Sequence, residues 1–134
     1  VPAALAGTGA VVPIFAGYDL EQESAKIYFY DILGAEFEGA DYAVSGSGSP
    51  TIRGILHYVN TWGEQPLSAM PEEQATVQAL RLLTSAAEFD SATGGVNREA
   101  GLYPVIKFIT ASGVRTMPDA QLKLLFETKV SRHV

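Results

Sequence analysis

The chain has 134 residues, 47% of them hydrophobic and 18% charged, a balance that suits one folded domain of ordinary size and argues against disorder. Its formal net charge of −6 repels phosphates and no cluster of Lys and Arg interrupts that field, so the chain is not built to hold nucleic acid. The absence of cysteine excludes disulfides, a thiol nucleophile and a cysteine-bearing zinc site, and fits a reducing cytoplasm.

Residues 1–18 form the longest uncharged stretch, but Pro2, Gly7, Gly9, Pro13 and Gly17 interrupt it and no basic residue precedes it. Neither a membrane span nor a signal peptide is expected. The opening on Val1 in an Ala/Gly-rich run reads as a cut or a processing site. Residues 11–18 and 26–32 are apolar, aromatic and β-branched, and the polar residues 19–24 between them suit a hairpin loop, which predicts two antiparallel strands. After a turn at Gly34, residues 36–38 and 42–45 read as one strand broken around Gly39.

At Ser49-Pro50 the pattern changes. Ser49 can cap orphan backbone amides and Pro50 fits the start of a helix, where its missing N–H costs nothing. Ile52, Ile55, Leu56 and Val59 then recur at helical spacing, and Gly63 stops the helix. A loop over residues 63–70 leads to a second helix from Pro71, with Glu72 and Glu73 at the positive end of its dipole and Val77, Leu80, Leu83 and Ala87 on one apolar face, ending near Phe89. Residues 103–110 read as a strand that turns at Ser112-Gly113 into a short partner at 114–116. A last helix begins at Pro118-Asp119, with Leu122, Leu125, Phe126 and Val130 on one face and Lys129, Arg132 and His133 near its negative end. The order of elements is that of an α+β fold in which antiparallel hairpins dominate and helices gather on the outer sheet faces. Strand edges are expected to be exposed wherever their pairing partners are missing.

Gly46-Ser47-Gly48-Ser49 lies where a strand hands over to a helix, and reads either as a plain turn and cap or as backbone able to hold an anion. It is no phosphate loop, because no Gly-Lys-Ser/Thr follows, and it lacks the Gly-x-Ser-x-Gly spacing of a nucleophile elbow. Asp90 and Thr93, followed by Gly94-Gly95, read either as a helix-terminal turn that bonds its own backbone or as a carboxylate and a hydroxyl around one small polar site. His57 and His133 have no partner at metal-ligand spacing, and the sequence calls for no metal and no cofactor. The acid pairs Glu21 and Glu23, Glu36 and Glu38, and Glu72 and Glu73 are explained by a loop, a strand face and a helix start. Tyr28, Phe29 and Tyr30 read as half-buried strand.

Taken together, these motifs resemble the proteasome β-subunit family. The resemblance rests on Val11-Val12-Pro13-Ile14-Phe15-Ala16-Gly17-Tyr18-Asp19, then Tyr30-Asp31 and Gly34, then Asp41-Tyr42-Ala43-Val44-Ser45-Gly46-Ser47-Gly48-Ser49-Pro50. Asp90-Ser91-Ala92-Thr93-Gly94-Gly95 is similar to that family's Asp-x-x-Ser/Thr-Gly signature. Tyr103-Pro104 and Ile109-Thr110-Ala111-Ser112-Gly113-Val114 look most like the actinobacterial version.

The resemblance implies a four-layer αββα sandwich, that of hydrolases whose own N-terminal residue attacks, with residues 1–134 as the C-terminal portion of a single β-type domain. It implies a threonine-type endopeptidase subunit of a 20S-like proteasome, working in the cytoplasm on unfolded polypeptide, in a homo-oligomeric β ring that meets α subunits. In this family an N-terminal threonine is the nucleophile, its amine takes the hydroxyl proton, and an early aspartate and lysine support it. Those residues would precede Val1, whose side chain cannot attack a peptide carbonyl, so the 134-residue chain alone is expected to be inactive. The matching positions here are Asp90, Thr93 and Ser47 in supporting roles near that amine. The loop beginning at Asp19 would line a neighbouring subunit's substrate channel. A non-catalytic structural or assembly module of the same ancestry is the alternative.

Overall fold

The computed structural model describes residues 14–30, 36–38 and 41–131. The expectations placed on residues 1–13, on Ile32, Gly34 and Gly39, and on Arg132 and His133 lie outside the described residues. The chain divides into two compact units, residues 1–45 with 109–114 and residues 46–108 with 115–134.

In the first unit, β1 (Ile14–Asp19) and β2 (Ser24–Tyr30) pair antiparallel with Ile14 opposite Phe29 and Asp19 opposite Ser24. The hairpin loop closes on Asp19, whose Oδ1 accepts the backbone N–H groups of Glu21 at 2.9 Å and Gln22 at 3.1 Å. This is the local bond that makes Asp a turn residue. Glu23 completes the reversal at a φ of 52°, in the left-handed region. β3 (Glu36–Glu38) adds to the other edge of β2, giving the order β1-β2-β3, all antiparallel. Residues 42–45, expected as a strand, form none. Only Val44 among them is β-branched, and among the described residues no strand pairs with them.

In the second unit, α1 (Ser49–Trp62) starts one residue earlier than a Ser49 cap requires: Gly48 is the cap residue, no side chain caps the helix, and Ser49 is already in its first turn. Gly63 ends α1, with its N–H donating to the Val59 carbonyl at 3.0 Å. The expected loop 63–70 carries one 3-10 turn, Leu67–Ala69, tied back to α1 by a 2.8 Å bond from the Leu67 N–H to Asn60 Oδ1. α2 (Glu72–Phe89) has Pro71 at its cap, as its missing N–H allows. Its buried residues are Thr76, Leu80, Leu82 and Ala86, so more than the single expected face is covered; Val77, Leu83 and Ala87 are only half-buried. Thr76 is buried without loss because its hydroxyl donates to the Glu72 carbonyl one turn back, at 2.9 Å.

β4 (Lys107–Thr110) and β5 (Gly113–Thr116) form a two-stranded sheet. The strand expected from residue 103 begins only at Lys107. Pro104 has no N–H to give to a ladder, and Tyr103 and Ile106 turn onto the core instead. The bond from Met117 N–H to the Ile106 carbonyl, 2.9 Å, closes the base of the hairpin. Arg115 leans its guanidinium 4.6 Å over the Phe108 ring and pairs with Glu72 at 2.6 Å, fastening β5 to the start of α2.

α3 (Asp119–Lys129) buries Leu122, Leu125 and Phe126, with Val130 just beyond it, the face read from its spacing. Arg81 on α2 donates to the Lys129 carbonyl at 2.9 Å and so satisfies one of its orphan acceptors. Leu80, Met117, Leu122, Leu125, Phe126 and Val130 form the core, with Val77, Val96, Tyr103, Ile106 and Phe108 packed against it. Tyr103 meets Phe126 edge to face, ring centroids 6.1 Å apart. Each fully buried apolar side chain of this kind contributes about 1.5–3 kcal/mol. Among the described residues no helix is long and apolar enough to cross a membrane.

Candidate functional site

Two chain reversals of the second unit meet at one carboxylate. The first is the turn into α1. Gly46 sits at a φ of 102°, which glycine alone adopts freely, and its carbonyl accepts the Ser49 N–H at 3.1 Å. The tight turn leaves Ser47 exposed at its tip. The second reversal is the end of α2, where Asp90 leaves helical geometry at φ −131° while its N–H still donates to the Ala86 carbonyl at 2.9 Å. Thr93 N–H then donates to the Asp90 carbonyl at 3.1 Å, folding the chain back over the helix end.

Both hydroxyls reach the same atom. Ser47 Oγ donates a short hydrogen bond to Asp90 Oδ2, and Thr93 Oγ1 donates to the same oxygen at 2.6 Å. The remaining oxygen, Oδ1, accepts the Ala92 N–H at 3.2 Å. Asp90 and Thr93 are half-buried and Ser47 is exposed.

The turn is held in place from behind. Val96, directly after Gly94-Gly95, packs on the core, and the backbone groups of Asn97 and Leu102 exchange bonds of 3.0 and 2.8 Å. Asn97 Oδ1 also takes the Ala100 N–H at 3.0 Å.

These donors favour the ionised form of Asp90. Its pKa is lowered, first by the Ser47 hydroxyl, then by the Thr93 hydroxyl and the Ala92 amide, against a smaller opposing effect of partial burial. The carbonyl end of α2, by contrast, disfavours a negative charge there. Asp90 is thus an ionised carboxylate held by hydroxyls and an amide rather than by a cation among the described residues. A hydroxyl that donates to a carboxylate keeps its lone pairs for an incoming N–H, and becomes a better acceptor through the polarisation. The arrangement can receive an amine, orient it and offset its positive charge when it gains a proton.

Of the two readings of Asp90 and Thr93, the structure contains both bonds to the local backbone and bonds between side chains from separate segments. Ser47, Asp90 and Thr93 come together; Ser49, in the first turn of α1, does not join them. His57 is exposed on α1, and Glu72 and Glu73 are exposed at the start of α2. Two contributors went unread in the sequence. The Ala92 amide carries no side-chain signal at all. Gly48 had one, a glycine between two serines just ahead of a helix, but nothing local tells that Thr93 lies against it.

A family model described as proteasome subunit matches residues 6–98, which include all three clustered residues. The chain is 38% identical over 121 residues to proteasome subunit beta 2 of Thermomonospora curvata, covering 90% of this chain and 41% of that protein. It is 38% identical over 112 residues to proteasome subunit beta of Streptomyces griseus, covering 84% and 38%. It is 35% identical over 126 residues to proteasome subunit beta 1 of Streptomyces avermitilis, covering 92% and 42%. The chain therefore spans 38–42% of the length of these curated relatives. With the family model covering most of the chain and the relatives all β subunits, the chain belongs to the proteasome subunit family.

Proposed function

We propose that this chain supplies the amine-supporting half of a threonine-type endopeptidase site in a proteasome β subunit. Residues 1–134 are then the C-terminal portion of one β-type domain, whose nucleophile comes from another stretch of the same subunit. The observation that carries the reading is the convergence of Ser47 and Thr93 on one oxygen of Asp90.

The reaction needs a threonine hydroxyl to attack a peptide carbonyl while the same residue's amine takes the hydroxyl proton and later passes it to the leaving amine. Ser47 and Thr93 accept N–H bonds from that amine and fix its direction. Asp90 aligns both hydroxyls and offsets the ammonium as it forms. The three residues orient and compensate; they form no bond to substrate. The substrate is unfolded polypeptide, and the subunit works in the cytoplasm in a ring of like β subunits stacked on α subunits. The loop closed by Asp19 lines the channel of the neighbouring subunit.

The test is peptide hydrolysis by the full-length, assembled protein. Asp90→Ala and Ser47→Ala should lower kcat/KM on fluorogenic peptides while assembly and circular dichroism stay as in wild type. Wild-type rates in both variants would sink the reading. A wild-type protein that assembles but cleaves no peptide at all would favour the structural or assembly module instead.

A further inference from the structure

Gly48 stands beside the cluster, one residue after Ser47 and at the cap of α1. Its φ of −83° is open to any residue, so the backbone does not call for glycine. Space does. A β-carbon at this position would lie 2.7 Å from Thr93 Oγ1, 3.2 Å from the Ala86 β-carbon and 3.6 Å from Asp90 Oδ2. The Ala86 contact asks for a shift of a few tenths of an ångström and the Asp90 contact for none. The Thr93 contact is well inside van der Waals distance. Ala86 is fully buried on α2, whereas Thr93 sits in a turn and can rotate about χ1. Thr93 is therefore the side chain that yields, and rotation carries its hydroxyl away from Asp90.

We infer that Gly48 is a positioning residue of the cluster: having no β-carbon, it leaves the Thr93 hydroxyl the space from which it donates to Asp90. Gly48 acts through Thr93 and touches no reacting atom. Its effect on Asp90 stands on packing alone, while any effect on hydrolysis rests on the function proposed above. A carboxylate with one hydroxyl donor fewer holds its proton more readily, so Gly48→Ala should reproduce the electrostatic consequence of deleting the Thr93 hydroxyl.

The experiment is a titration of the Asp90 carboxylate by NMR of 13C-labelled aspartate in full-length protein, comparing wild type, Gly48→Ala, Thr93→Ala and the double variant. The expected result is that Asp90 titrates higher than wild type in Gly48→Ala, to the same extent as in Thr93→Ala, with no further rise in the double variant. An unchanged titration in Gly48→Ala overturns the inference, and so do shifts that add in the double variant. If Gly48→Ala does not fold, the double variant decides: removing Oγ1 relieves the severe contact, so it should fold and titrate as Thr93→Ala does. A double variant that stays unfolded overturns the inference. Peptide hydrolysis by the same proteins keeps the two ideas apart. Titrations that shift as expected beside undiminished hydrolysis in Thr93→Ala would remove the proposed function and leave the positioning role. Slowed hydrolysis in Thr93→Ala beside an unshifted Gly48→Ala would remove the positioning role alone.

Discussion

Ser47 and Asp90 lie 43 residues apart in the chain and meet through a hydrogen bond to Oδ2, the oxygen that also takes the Thr93 hydroxyl. A single carboxylate oxygen thereby ties the turn before α1 to the turn after α2. Such a contact fixes geometry between segments that would otherwise move with their own loops.

The charge and the acceptors of Asp90 can be separated. Asp90→Asn keeps the size of the side chain and one carbonyl oxygen but removes the negative charge that, in the proposed function, offsets an ammonium. Asp90→Ala removes both. If compensation of charge is the main contribution, the two variants should lower kcat/KM alike, by about 10²–10⁴-fold, the range general for a proton-handling group. Steady-state hydrolysis of a fluorogenic peptide by assembled full-length protein measures it. An Asn variant near wild type would assign the role to alignment of Ser47 and Thr93 alone.

The lowered pKa of Asp90 gives a pH dependence of definite sign. A carboxylate whose folded pKa lies below its unfolded value contributes stability above the unfolded value, and that contribution is lost as pH falls through the folded one. Ser47 is the largest cause of the lowering, so Ser47→Ala moves the folded pKa up toward the ordinary carboxylate range. The thermal midpoint of the variant should therefore fall below that of wild type at neutral pH, with the gap closing in acid once Asp90 is protonated in both. A gap that stays constant through the acid range would show that Ser47 acts by packing and not through the charge of Asp90.

How far the sequence could be read depended on the range of the interaction. Helix limits written by Pro71, Pro118 and Gly63 are local steric facts, and each element ends within a residue of where these fall. The apolar spacing of Leu122, Leu125, Phe126 and Val130 gave the buried face of α3 for the same reason. Errors arose where a local preference competed with tertiary packing. Ser49 is a good cap residue by propensity, but the turn at Gly46 places Gly48 at the cap. Tyr103 and Ile106 have strand character but pack on the core, and Leu82 and Ala86 are buried although the periodicity marked another face of α2. At the site, motif resemblance pointed to Ser47, Asp90 and Thr93 while spacing alone left them ambiguous. The pair Arg115 and Glu72 joins distant segments, and the nearness of Thr93 to the place a β-carbon of residue 48 would take does so too; neither leaves a local signal.

The core offers a sharper stability test than the surface. Leu80 is fully buried, at 0% exposure, among Leu122, Phe126 and Val130, and α2 positions Asp90 from that anchor. Leu80→Ala removes methyl groups from a packed interior and should destabilise by about 2–5 kcal/mol, depending on how far the site collapses. Denaturant unfolding of the full-length protein measures the loss. Because Asp90 ends the same helix, hydrolysis should weaken as temperature rises toward the lowered midpoint, with little change well below it. A cost under about 1 kcal/mol would mean that Leu80 does not anchor the core.

The ion pair between Arg98 and Glu127 should behave in the opposite way. Its geometry is good, with Arg98 Nε donating at 2.9 Å to Oε1 and the terminal nitrogen at 2.6 Å to Oε2, a two-pronged contact between the turn after Val96 and α3. Yet the two side chains are 54% and 33% exposed, so water already solvates both charges and salt screens them. An exposed pair of this kind is worth about 0.2–1 kcal/mol, and ordering two long side chains takes part of that back. Arg98→Ala should therefore lower the midpoint of denaturant unfolding only slightly, and less in high salt than in low. The hydrogen bonds of Asn97 with Leu102 and Ala100, together with Val96 on the core, hold the turn without the guanidinium, so hydrolysis should stay near wild type. A large loss of activity in Arg98→Ala, undiminished by salt, would show instead that this pair sets the position of Thr93 and Asp90.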